Sequence, residues 1–467
     1  MGFRKCFTRR KTFEWFIVIV VGFMIRNDNL GVTSVIRSLL IDPISYVTII
    51  NFFRSNAWAL DKLMVTWWSI VYKCAPIVRK NGYTVIIGDG IKKSKEGRKM
   101  AGAKVHCQDS ENSGKPSFIW GHMFGAVGLL ASNGSKAFCI PLALTLQDGV
   151  KTIFKWIEGK ERQESHTVEM INLAYKVTSV IGKTLLLLDS FYLSVSALKR
   201  LDILNCERQA MQIITKARKD CSAFREPPPK QNGRRGRSKI RGEKVKLYSL
   251  FGQEGFTEAV VNLYGKEEKI RFRCEDLLWR QGFYKKLRFV LVEFGGTKAI
   301  LVSTDLTIDP LQIIELYGLR FKIEGMFREM SQVVAAFNYR FWSKLMPKLS
   351  KKKKKADKDP MEAITDRNIQ KAIIKTVKAT ECYVFCCAVA IGILHMLSLK
   401  FSSALERRKI RYLRVYRNEI ISEASMSDYL KQRFFSLLHQ NADLDMCKII
   451  IKHQMKDLGF DTYEKAS

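Results

Sequence analysis

Two short apolar runs, each closed by an aspartate, constrain this chain more than any other feature. Tyr83-Thr-Val-Ile-Ile-Gly-Asp89-Gly90 is rich in β-branched residues and ends in an acid between glycines. Leu185-Leu-Leu-Leu-Asp189-Ser190 repeats the pattern 100 residues on (189 − 89), with a helix opening at Phe191. Runs this short, bounded by turn residues, predict buried strands, and each delivers its acid to a strand end where the backbone opens to a ligand. A third acid lies 135 residues further on (324 − 189), in Tyr317-Gly-Leu-Arg320-Phe-Lys-Ile-Glu324-Gly-Met-Phe-Arg328-Glu-Met-Ser331. This stretch follows an apolar run, Ala299 to Val302, and a Thr-Asp-Leu-Thr-Ile-Asp-Pro turn, and it reads as a helix. Only a fold that gathers strand ends and a helix can unite acids so far apart.

At about 100° per residue, Tyr317 and Glu324 lie about 20° apart on that helix, with Arg320 and Arg328 about 40° to either side of Glu324. A carboxylate that can hold a divalent ion, a guanidinium that can fork onto a phosphate and a phenol that can donate to it suit a metal-dependent phosphodiester site. An ordinary amphipathic helix with an Arg320–Glu324 ion pair fits the same spacing.

Length and charge narrow the function. With 467 residues, 47% of them hydrophobic, the chain is large enough for two to four domains and a substantial core. Lys and Arg exceed Asp and Glu by 79 − 45 = 34. That excess repels itself unless a polyanion neutralises it, which points to nucleic acid or an anionic membrane. The eleven cysteines are scattered, with no CxxC pair or Cys/His quartet. Reduced thiols in a cytosolic protein are therefore expected, not a zinc site.

Trp15 to Ile25 follows basic residues in the manner of a signal peptide, but no small-residue cleavage site follows it, and it is too short to span a bilayer. Gly2 invites N-myristoylation, yet Cys6 stands where that motif needs Ser or Thr. Cys382 to Leu399 is apolar apart from Ser398 and His395 and is the better membrane candidate; a long helix buried between domains is the preferred reading.

Taken in order, residues 1–80 read as helical, with apolar residues at three- and four-residue spacing and Trp58, Trp67 and Trp68 in the second half. After Asp89 come Lys92, Lys93, Lys95, Arg98, Lys99 and Lys104, expected as a mobile cationic loop that a phosphate backbone could follow. Ser117 to Leu130 and Lys136 to Leu146 predict two strands, and His122 is expected as a hydrogen-bonded core histidine. Residues 151–180 predict helix. Gly182-Lys183-Thr184 mimics a P-loop, but its first glycine would fall on Val177 and the turn precedes a strand.

Between Thr215 and Lys246, twelve Lys/Arg face three Asp/Glu, and Gly233-Arg-Arg-Gly-Arg237 suggests a linker and a DNA-contacting arm. Residues 256–303 contain β-like runs. Asp305 also follows a strand, but its surroundings resemble a helix entry capped by Asp309 or Thr307, so Asp189 is preferred as the second acid. Lys351 to Lys355 suggest an exposed loop, a long helix is expected from Asn368 to Leu399, and Arg407 to Arg417 suggest a further cationic helix.

The Tyr-x2-Arg-x3-Glu spacing resembles the Y-R-E-K signature of the DDE transposases of bacterial cut-and-paste insertion sequences. The similarity runs from about Phe16 to Leu399, and Trp120-Gly-His122 has close counterparts in that family. Ser331 stands where the signature has lysine, and Arg328 is a candidate substitute cation. The resemblance implies an α/β fold: a ribonuclease-H-like mixed sheet with flanking helices, a β-rich insertion and helical N- and C-terminal regions.

The implied divisions are a DNA-binding helical region at 1–80, the core's first part at 81–215, a basic linker and insertion at 216–303, the core's second part with the catalytic helix at 304–400, and a basic helical region at 401–467. Asp89, Asp189 and Glu324 are implied as catalytic and metal-binding acids for two Mg²⁺, about 3.5–4 Å apart, with Mn²⁺ as a substitute. Tyr317, Arg320, Arg328, Lys92, Lys93, Arg98 and Lys99 are implied DNA contacts. The implied activity is cleavage and strand transfer at terminal inverted repeats, on inverted-repeat and target DNA, by a homodimer or larger synaptic complex in the bacterial cytoplasm with the nucleoid. A nuclease of the same fold without strand transfer, a non-catalytic DNA-binding descendant and a membrane-associated basic protein are the alternatives.

Overall fold

A parallel pair of strands lies at the middle of a thirteen-stranded mixed sheet flanked by helices. The computed structural model describes residues 2–108, 116–159, 165–206, 208, 210–229, 239–352, 359–405 and 420–455. Strand β1 (Arg79–Lys80) opens the sheet, followed by β2 (Tyr83–Ser94), β3 (Lys104–Cys107), β4 (Phe118–Ser132), β5 (Ala137–Leu146), β6 (Thr184–Leu187) and β7 (Met211–Ala217). β5, β4 and β2 pair antiparallel in that order, then β6 lies parallel to β2 and β7 parallel to β6. β6 is buried at every position, as an unbroken Thr-Leu-Leu-Leu run in a strand covered on both faces requires.

The β-rich segment does not form a separate module. Strands β8 (Ser222–Phe224), β9 (Lys244–Lys246), β10 (Thr257–Leu263), β11 (Lys266–Trp279), β12 (Lys285–Phe294) and β13 (Thr297–Ser303) continue the same sheet, because β13 pairs antiparallel with β7. The β12–β13 connection is Gly295-Gly296, both at positive φ (53° and 75°), as a tight hairpin requires. The arginine-rich arm Gly233 to Arg237 lies outside the described residues.

Four N-terminal helices, α1 (Arg10–Ile25), α2 (Gly31–Leu39), α3 (Tyr46–Arg54) and α4 (Leu60–Cys74), share one hydrophobic core with the sheet. Helix α4 covers the outer edge of β5. Trp67 Nε1 donates to the Pro141 carbonyl (2.8 Å) and Trp68 Nε1 to that of Leu142 (2.7 Å). Two indoles thus satisfy backbone acceptors that an open edge would offer to another chain. Helices α5 (Lys151–Glu158), α6 (His166–Ile181) and α7 (Val195–Asn205) follow, and α6 packs on β2, β4 and β6.

The third acid's segment does not form one helix. α8 (Pro310–Gly318) is capped by Asp309, as expected, and α9 (Lys322–Gln332) starts after a break. Across the break, Leu319, Arg320, Lys322, Ile323 and Glu324 each donate to the carbonyl three residues back, which is 3₁₀ geometry. The uniform 100° stripe of Tyr317, Arg320 and Glu324 is therefore corrected: the local winding is tighter, and Tyr317 and Arg320, three apart, nearly eclipse.

Helix α10 (Arg367–Phe401) is the long helix expected from the apolar run. It could cross a membrane by length and composition, yet 83% of its most apolar window is buried within the molecule. It packs on β5, α1 and α3 and on α11 (Glu423–Gln440), and α12 (Asp445–His453) closes on α1. The expected cationic helix from Arg407 to Arg417, and Lys353 to Lys355 of the lysine run, lie outside the described residues. None of the eleven cysteines, all of them among the described residues, forms a disulfide, and Cys382, Cys386 and Cys387 are buried in α10.

Gly392, inside α10, is required by Trp67: a Cβ there would sit 2.4 Å from the indole Cζ2. Overpacking of that kind costs about 1–3 kcal/mol, against roughly 1 kcal/mol of helix preference that alanine returns. Gly392→Ala is expected to lower the melting temperature by a few degrees in thermal circular dichroism, and an unchanged or higher value would show that the indole moves freely.

Candidate active site

The register between β2 and β6 sets the two aspartates side by side. Ile87 pairs with Leu187, and Asp89 and Asp189 each follow by two residues. Side chains two apart on a strand share a face, and neighbouring strands run about 4.8 Å apart. β6 ends at Leu187, but Leu188 N–H still donates to the Ile214 carbonyl and Asp189 keeps an extended backbone (φ −74°, ψ 165°). Its carboxylate accepts from Ser190 N–H, and its carbonyl accepts from Thr215 Oγ1 (2.8 Å).

Arg320, from the break between α8 and α9, completes the cluster. Its Nη1 donates to Asp89 Oδ2 (3.1 Å) and its Nη2 to Glu324 Oε1 (2.8 Å), so the first and third acids flank one guanidinium. Asp89 and Arg320 are mostly buried (side chains 23% and 17% exposed), whereas Glu324 is 62% exposed. Helix α9 holds this geometry by burying Ile323, Met326, Phe327 and Met330.

Burial pushes the Asp89 carboxyl above its ordinary range; Arg320 and the Gly90 N–H act against that, and Asp189 adds to it. Tyr317 is held well above the usual phenol range by burial, with Arg320 opposing and the fields of Asp189 and Asp89 reinforcing. Tyr192 is raised by burial and then by the same two aspartates. A Cβ on Gly90 would lie 3.7 Å from the Tyr192 hydroxyl, which places that phenol beside β2 at the acids. Asp89, Asp189, Glu324, Tyr317 and Arg320 therefore gather in one place, joined by Tyr192, which the sequence reading did not single out. Its signal was local: it lies three residues after Asp189, in a 3₁₀ turn.

The expected cationic loop is corrected. Lys92 and Lys93 lie on β2 itself, whose pairing with β4 runs on to Ser94. The cations beyond it are tied down: Lys95 donates to the Phe337 carbonyl, Arg98 Nε to that of Leu349 (2.7 Å) and Lys99 Nζ to that of Lys344 (3.0 Å). Burial, with Lys93 and Arg340 nearby, lowers the Lys95 ammonium to about 7. Lys92 Nζ donates to the Cys107 carbonyl (2.6 Å).

Lys93 Nζ donates to Ser331 Oγ (2.7 Å) and lies 5.0 Å from the Phe337 ring centroid. A lysine from another element thus reaches the position where the resemblance expects one. Arg328 instead lines a cleft with Asp28, Glu329 and Lys431. His122 is a core histidine, as expected. Its Nε2–H donates to the Ala101 carbonyl (3.0 Å), its Nδ1 accepts from the Tyr339 hydroxyl (2.5 Å), and burial lowers it to about 3. Asp305 accepts from the Tyr83 hydroxyl (2.9 Å) and from Thr307, in a turn.

Comparison with known protein families and with curated proteins finds no match to this chain.

Because folding raises the Asp89 carboxyl, its ionisation opposes folding: the penalty is absent below the unfolded aspartate range and grows as pH rises through the folded value. In chelator-containing buffer, Asp89→Asn should therefore raise the melting temperature at pH 7.5, and the gain should vanish near about pH 4. A pH-independent change would mean that the lost Arg320 contact, not desolvation, governs the site.

Proposed function

We propose that this chain is a DNA transposase that cleaves and transfers DNA strands at the terminal inverted repeats of an insertion sequence. The carrying observation is Arg320, which bridges Asp89 and Glu324 beside Asp189. The strand order supports the ribonuclease-H-like reading: β5, β4 and β2 antiparallel, then β6 and β7 parallel, with the first acid on β2 and the second just past β6. The third acid follows the strands that extend the sheet. In this reading the fold is an α/β ribonuclease-H-like core, and the protein works with the nucleoid in a bacterial cytoplasm, as a dimer or larger synaptic assembly on DNA.

The donor set fits a hard divalent cation. Asp89, Asp189 and Glu324 offer only carboxylate oxygens, which suit Mg²⁺ or Mn²⁺. Burial, with the field of Asp189 adding to it, disfavours the charged form of Asp89, and a bound cation would act against both. Two such ions, when bound, supply activation of a water or DNA 3′-hydroxyl and stabilisation of the departing oxygen.

The chain's own groups handle the rest. Arg320 can exchange a carboxylate for a phosphate, to which its planar fork is suited. Tyr317 and Tyr192, held protonated, can donate but not repel. Lys93 lies on the Asp89 face of β2 and brings to Ser331 the positive charge that the serine lacks, whereas Lys92, one residue before it, faces the other side of the sheet at the Cys107 carbonyl.

Asp189→Asn should abolish Mg²⁺- or Mn²⁺-dependent nicking of inverted-repeat DNA while DNA affinity stays nearly intact; comparable cleavage would remove Asp189 from the site. Retained DNA binding by the unmodified chain without nicking would favour a non-catalytic descendant, and nicking without joined product a nuclease. Arg320→Ala and Lys93→Ala should each weaken binding and make its salt dependence shallower by roughly one unit, the loss of one phosphate contact. An unchanged slope would assign that residue a purely structural ion pair or hydrogen bond.

A further inference from the structure

Behind the acids, on the other side of helix α9, a second cluster joins three helices remote in sequence. Glu329 of α9, His395 of α10 and Glu423 at the start of α11 each offer one ligand atom, all within 4.8 Å of one another. His395 is fully buried, and its Nε2 lies 2.8 Å from Glu329 Oε2. Since a carboxylate can only accept, Nε2 carries the proton in this structure, and an ion seated between Nε2 and Glu329 would take that proton's place. Among the described residues Nδ1 has no partner, and neither does the buried Ser398 Oγ, one helical turn along the same face. Phe138 stacks on the imidazole (centroids 4.6 Å, planes 15° apart) and limits its rotation.

We propose that Glu329, His395 and Glu423 bind a divalent transition ion of the Zn²⁺ type, which ties α9 to α10 and α11. Imidazole with two carboxylates is a borderline donor set, distinct from the all-oxygen set at Asp89, Asp189 and Glu324. Ligand atoms about 2.0–2.1 Å from a tetrahedral ion lie about 3.3 Å from one another, a value within the span between 2.8 and 4.8 Å found here. A cleft of about 320 Å³, lined by Glu329 and Glu423, gives a route in. Lys136 is the competing cation: it feels both carboxylates, yet among the described contacts it forms no ion pair with either. The ion would leave room for a water, which the orphaned Ser398 hydroxyl could meet.

The test uses the full chain carrying Asp89→Asn, Asp189→Asn and Glu324→Gln, so that uptake at the proposed catalytic acids does not contribute. After chelator dialysis, one equivalent of Zn²⁺ should bind by calorimetry and elemental analysis and raise the melting temperature, and Co²⁺ should give visible absorption bands. Adding Glu423→Gln should remove that equivalent while the circular dichroism spectrum is kept. Lys136→Met should tighten Zn²⁺ binding several-fold. Absence of stoichiometric uptake in the triple variant, or uptake indifferent to Glu423→Gln, overturns the site. Nicking by the unmodified chain is independent of either result.

Discussion

The parallel pairing of β2 with β6 is the constraint on which the rest of this molecule depends. With Ile87 opposite Leu187, both aspartates fall two residues further along, on one face. A slip of one residue would turn one acid to the opposite face and drive a core leucine out, so burial of β6 on both sides fixes the register. The pair itself depends on a crossover long enough to return in the same direction, which α5 and α6 provide.

Charge at that site is balanced by a residue from the far side of the chain. Asp89 is buried enough to resist ionisation, and Arg320 is the group that counteracts this most. The guanidinium reaches it because the chain tightens between α8 and α9, turning Arg320 toward β2 while Glu324 stays near the surface. Elsewhere much of the positive charge near β2 is not loose. Arg98 and Lys99 hold carbonyls of the segment after α9, which turns a string of cations into a clasp between β2's exit and that segment.

The helices act as covers and ties. Trp67 and Trp68 close the β5 edge, where Pro141 has no N–H to offer, and Gly392 makes the space for the first of them. Helix α9 has two working faces, with Glu324 beside the aspartates and Glu329 against His395 of α10. Any ordering of α10 and α11 through that second face would bear directly on the helix that carries the third acid.

Much of this was legible in the residues alone. The strand that carries Asp89, the strand that ends just before Asp189, the pair from Phe118 to Leu146, the Asp309 cap and the long helix over Asn368 to Leu399 all follow from apolar runs and turn chemistry, which act over a few residues; the expected strand end at Asp89 is corrected, because pairing with β4 carries β2 on to Ser94. What local pattern could not supply was the tertiary partner of each group. Lys92 and Lys93 read as loop because charge is usually solvated, yet pairing with β4 kept them in a strand. The 3₁₀ break at Arg320, the reach of Lys93 to Ser331 and the meeting of Glu329, His395 and Glu423 join residues 238, 66 and 28 positions apart or depend on such packing. Sequence determined which segments could be strands or helices, because backbone preference and hydrophobic period are short-range. Only the folded chain decided which side chains face one another, because that is set by register and packing across the whole core.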